Sequence, residues 1–109
     1  MSAEGDKLKQ LRSLCGGPRD GALLRVSIAN ALLAVAETGA AIAELQVALR
    51  FDPDYSAAWK LLGRTLAETG DARAACDAYR SGIAAAVRRG DKQAQKEMAV
   101  FLRRLEKSV

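Results

Sequence analysis

An all-α fold of about six helices is predicted by three features of this 109-residue sequence. Only 5 % of residues are aromatic while Ala is abundant, which favours close helix packing over a sheet built from β-branched and aromatic side chains. Apolar residues recur at three- and four-residue spacing. The pattern also repeats with a period of 34: aligning 22–55 with 56–89 pairs Ile28 with Leu62, Ala29 with Gly63, Leu32 with Leu66, Ala41 with Ala75, Leu45 with Tyr79 and Ala48 with Gly82. Each pair keeps its size class. A repeat of this length is one supersecondary unit stacked on a copy of itself.

The elements follow in order. Residues 1–17 are expected to form an N-terminal helix, with Leu8, Leu11, Leu14 and Cys15 as its apolar stripe and Gly16-Gly17-Pro18 as the linker that ends it. Residues 22–55 form the first helical hairpin. Phe51-Asp52-Pro53-Asp54 ends its second helix, because Pro disfavours helical geometry in the residue before it, and Asp54 or Ser56 is expected to cap the next helix. In the second hairpin, 56–89, Ala58, Trp59, Leu62 and Leu66 lie on one face. Thr69-Gly70-Asp71 then supplies a C-terminal Gly and an Asp N-cap, and Ala75, Tyr79, Ile83 and Ala86 face back from the following helix. Residues 90–109 carry Ala94, Met98, Phe101, Leu102 and Leu105 on one side, with Lys92, Lys96, Arg103, Arg104 and Lys107 turned largely outward. Both flanking helices read as caps, which a short repeat array needs to cover its apolar ends.

The segment Trp59-x-x-Leu62-Gly63-x-x-Leu66, then Ala75-x-x-x-Tyr79, together with Ala41-x-x-x-Leu45 and Pro53 in the first copy, resembles the tetratricopeptide repeat (TPR) family over about two repeats and their flanks. The resemblance implies a fragment of a right-handed α-solenoid. Ala-Glu-Thr-Gly also occurs twice, at 36–39 and 67–70, but that offset of 31 sets Leu32 against Gly63, where a large side chain would block close helix approach. Two positions depart from the pattern: Arg25 stands where the family often has Trp, and Gly39 falls just inside the second helix of the first repeat.

Composition narrows the function. With 50 % hydrophobic and 28 % charged residues the chain fits one soluble domain, 1–109. No stretch approaches the roughly 18 apolar residues of a membrane span, and the polar start from Met1 to Lys9 lacks a signal-peptide core, so a cytoplasmic protein is expected. There is no His, which removes the commonest general base and metal ligand. Cys15 and Cys76 sit in unrelated contexts and read as reduced thiols. Gly16-Gly17-Pro18 lacks the Lys-Ser/Thr of a phosphate-binding loop, and Asp52 and Asp54 read as turn carboxylates. Neither an enzyme, nor a cofactor, nor a metal is expected.

What the resemblance implies instead is a scaffold that holds a partner protein or peptide, since in this family the first helix of each repeat lines the concave side. Val26, Asn30 and Leu33 of repeat 1 and Lys60, Arg64 and Ala67 of repeat 2 occupy those positions. Asn30, Lys60 and Arg64 suit an acidic or amide-rich segment. The family's carboxylate clamp is not expected, because Val26, Leu61 and Asp91 stand where Lys, Asn and Lys would be wanted. The alternatives are self-association through an uncovered apolar end, or weak nucleic-acid binding by Arg88, Arg89 and the basic residues of the C-terminal helix, at a net charge of only +4.

Overall fold

The computed structural model describes residues 3–108, with side chains from Gly5 onward, and all its regular elements are helices: α1 (Ala3–Arg12), α2 (Ala22–Ala34), α3 (Thr38–Phe51), α4 (Ser56–Glu68), α5 (Ala72–Arg89) and α6 (Lys92–Ser108). The chain divides after Asp52 into two compact units. The first holds α1 to α3 and the second α4 to α6.

In the first unit Ile28, Ala29 and Leu32 of α2 bury with Ala41, Leu45 and Ala48 of α3. These are the residues that the 34-residue period selects. Each large one contributes about 1.5–3 kcal/mol by leaving water. The N-terminal helix is shorter than the expected 1–17. It stops at Arg12, and Leu14 and Cys15 lie instead in turns closed by Leu14 N–H to Leu11 O and Cys15 N–H to Arg12 O, both 3.1 Å. The Ser13 hydroxyl donates to Gln10 O at 2.6 Å, and Gly16 turns left-handed at φ 80°. Met1 and Ser2 lie outside the described residues.

In the second unit buried Tyr79, Ala86, Ala94 and Met98 form a cluster with Trp59, Ile83, Phe101, Leu102 and Leu105. Two glycines set its helix spacing. A Cβ on Gly63 would stand 2.7 Å from the Tyr79 ring, and one on Gly82 would stand 2.5 Å from Met98 Sδ and 2.6 Å from Trp59 Cβ.

The turns inside the two hairpins are built alike. Glu37 N–H bonds Leu32 O at 2.8 Å, and its counterpart Asp71 N–H bonds Leu66 O at 3.0 Å, closing the end of the first helix in each repeat. The residue before each is left-handed: Gly70 at φ 88° in repeat 2, but Ala36 at φ 61° in repeat 1. Asp71 accepts from Ala74 N–H at 3.1 Å as the N-cap of α5, and Asp91 likewise accepts from Ala94 N–H at 3.1 Å. The expected cap of α4 is different. Tyr55 holds that position without a side-chain bond; Asp54 is taken up by Arg88 at 2.8 Å, and Ser56 donates to Asp91 at 3.0 Å. Longer-range partners engage both residues.

Arg25 replaces Trp by doing part of its task with charge. Trp59 donates its indole N–H to Pro53 O at 2.8 Å, tying α4 to the turn before it. Arg25, its equivalent in α2, donates Nε and Nη2 to Asp20 at 2.9 Å each and Nη1 to Glu44 of α3 at 3.0 Å. Asp20 also accepts from Gly16 and Gly21 N–H, which anchors the linker. The Arg25 guanidinium holds the Asp20 carboxyl well below the usual carboxylate range, helped by the Gly16 N–H. The two carboxylates in turn push the Arg25 pKa up.

Candidate functional site

In α2, Asn30 is exposed and Leu33 half-buried, while Val26 is buried in the core of its unit. In α4, Lys60 is half-buried and Arg64 is 61 % exposed, with Ala67 one turn further on. Asn30 and Arg64 occupy equivalent positions of the two repeats and are both exposed. The cations on α4 are already engaged. Lys60 pairs with Glu97 of α6 at 3.1 Å, and Arg64 reaches Glu68 at 3.7 Å.

Packing of α6 against α4 and α5 forms a cavity of about 290 Å³, lined by Arg64, Ala67, Glu68, Tyr79, Phe101, Arg104 and Leu105. Tyr79 and Phe101 stack with ring centroids 5.7 Å apart at 25°, and the Arg104 guanidinium carbon lies 6.0 Å from the Phe101 centroid. Burial raises the Tyr79 pKa, with Arg64 opposing and Glu68 assisting. Of the residues expected to bind a partner, Arg64 and Ala67 line this cavity; Asn30 and Leu33 belong to the other unit. The sequence pattern places Phe101 and Leu105 on a capping stripe and Arg104 on a solvated face. The signal it holds for the cavity is that α6 follows α5 through the short Gly90-Asp91 turn and so returns alongside the repeat.

Two arginines of α5 are paired with acids. Arg88 is paired with Asp54 at 2.6 Å, which lowers the Asp54 pKa, and Arg80 is bracketed by Asp77 at 3.2 Å and Glu106 at 3.0 Å. Cys15 and Cys76 are free thiols. Among the described residues no helix is long and apolar enough to cross a membrane, and no group of three His, Cys, Asp or Glu side chains is placed to hold a metal ion.

A TPR repeat-containing protein of Pseudomonas aeruginosa is 44 % identical over 89 residues, which covers 82 % of this chain and 85 % of the relative. The chain belongs to the tetratricopeptide repeat family. Its TPR fold is shared with the solution structure of protein BPP2914 from Bordetella parapertussis, which has a TM-score of 0.80 and 42 % identity over 99 % of this chain and 91 % of that one. The crystal structure of MamA shares the fold at a TM-score of 0.68 and 20 % identity, over 94 % of this chain and 62 % of that one. No family model matches the chain. As a TPR protein it falls in a class of protein-interaction modules, and α2–α3 and α4–α5 are its two repeat hairpins.

Proposed function

We propose that this TPR protein is a non-catalytic scaffold that holds a partner protein through the first helices of its repeats, with Asn30 and Leu33 contributing from α2 and Lys60 and Arg64 from α4. The observation that carries this reading is the pair of exposed polar side chains, Asn30 and Arg64, at equivalent repeat positions within a family whose modules hold other proteins. Val26 drops out of the expected set because a buried side chain has no surface to offer. An acidic segment is the natural complement of Lys60 and Arg64. Glu97 and Glu68 already neutralise part of that charge, so binding exchanges one carboxylate for another.

The test is recovery of the partner from the source cell followed by affinity measurement with variants. Lys60→Glu combined with Arg64→Glu should weaken binding and reduce its salt sensitivity while leaving the helical signal intact. Arg103→Glu with Lys107→Glu makes the same change in charge on α6. Equal loss from both pairs would mean diffuse electrostatics and would remove the assignment to α4.

A further inference from the structure

We propose that the cavity between α4, α5 and α6 is a socket for one bulky apolar side chain of the partner, flanked in the partner sequence by acidic residues. This rests on the partner-holding reading above and names the segment that would be held.

Size and lining set the anchor. At about 290 Å³ the cavity lies just below the range of small-molecule sites, roughly 300–1,000 Å³, and suits a single large side chain better than a cofactor. Its apolar lining is Ala67, Leu105 and the stacked rings of Tyr79 and Phe101. Charge sets the flanks. Arg64 and Arg104 line the cavity together with one carboxylate, Glu68. The Arg64–Glu68 contact is long at 3.7 Å, and among the described residues no carboxylate pairs with Arg104. One positive charge is therefore left over, on side chains that stay exposed to solvent, so its attraction for an acidic flank weakens as salt is added.

The second, independent observation is Tyr79. The residue is only 2 % exposed, yet among the described residues no protein group hydrogen-bonds its hydroxyl. That oxygen is not sealed inside the core, since among the described residues no fully buried side-chain oxygen or nitrogen lacks a partner, and Tyr79 is one of the residues that line the cavity. The hydroxyl therefore keeps contact with solvent and is left to bond water or a ligand group. A phenol is protonated at neutral pH, and burial raises this one's pKa further, so it is available as a donor. A carboxylate or carbonyl beside the anchor side chain satisfies it, while Arg104 meets the charge. Phe101 acts twice, as one wall of the socket and as the face on which Arg104 rests.

The probe is the peptide Glu-Asp-Phe-Asp-Glu, acetylated and amidated so that it carries no chain-terminal carboxylate, titrated into the full chain and followed by amide NMR. Saturable shifts are expected at Phe101, Arg104 and Tyr79. They should be lost when the peptide has Ala in place of Phe, or Asn and Gln in place of its acids. Arg104→Ala should weaken the peptide at least about tenfold, and Tyr79→Phe about threefold to tenfold, as loss of charged and neutral hydrogen bonds does. Neither change should lower the melting temperature, which separates this role from a structural one; Arg103→Ala should leave affinity unchanged. The socket is overturned by the absence of shifts at millimolar peptide, or by equal affinities for Arg104→Ala and Arg103→Ala. If the cellular partner still depends on Lys60 while the peptide ignores Arg104→Ala, the socket falls and the scaffold reading stands. If the peptide seats as expected while the cellular partner is indifferent to changes in α2 and α4, the socket stands and the scaffold reading falls.

Discussion

Gly63 of α4 lies against the face of Tyr79 of α5, so close that a methyl group at 63 would stand 2.7–2.8 Å from three ring carbons. An aromatic ring wedged in a core cannot swing aside as the end of a flexible chain can. Gly63→Ala is therefore expected to destabilise the protein by about 1–3 kcal/mol through overpacking. Gly39 is the internal control, being helical and exposed with nothing within 4 Å of an added Cβ. There the same substitution should stabilise by about 0.5–1 kcal/mol, because Ala loses less backbone entropy in a helix. Urea melts of the two variants check the opposite signs.

Ala36 occupies the left-handed position that Gly70 fills in the second repeat, at φ 61° against 88°. A left-handed L-residue costs roughly 1–2 kcal/mol, part of which glycine recovers against its own greater freedom when unfolded. Ala36→Gly is thus expected to raise stability by about 1 kcal/mol. Gly70→Ala should lower it by a similar amount. Thermal melts in which both variants fall on the same side of the wild type would contradict the assignment of these residues to equivalent turns.

Asp20, held by Arg25 and by two backbone N–H groups, links stability to pH in a definite direction. Its folded pKa is depressed, so its contribution is complete above the unfolded value of about 4 and is lost as pH falls from there toward the folded value. Asp20→Asn should melt below the wild type by a constant gap between pH 7 and 5. That gap should narrow steadily below about pH 4, where the carboxylate of the unfolded chain takes up a proton that the folded one still refuses. A gap independent of pH down to 2 would assign the loss to packing instead of charge.

The 34-residue period, the small residues at Ala29, Gly63, Ala41 and Ala75, and the Gly70-Asp71 turn are all legible in the sequence, because helical spacing, close approach and turn geometry are set by residues within a few positions of one another. The family and the buried face of each repeat follow from the same local signals. Tertiary structure decided the rest. Arg25 finds Glu44 across 19 residues, Lys60 finds Glu97 across 37, and Arg88 finds Asp54 across 34. Val26 is buried although its equivalent Lys60 reaches the surface, and Arg104 joins Arg64 at one cavity only because α6 packs back on α4 and α5. Long charged side chains can reach several partners equally well along the chain. Which one they meet is fixed only once the helices have packed.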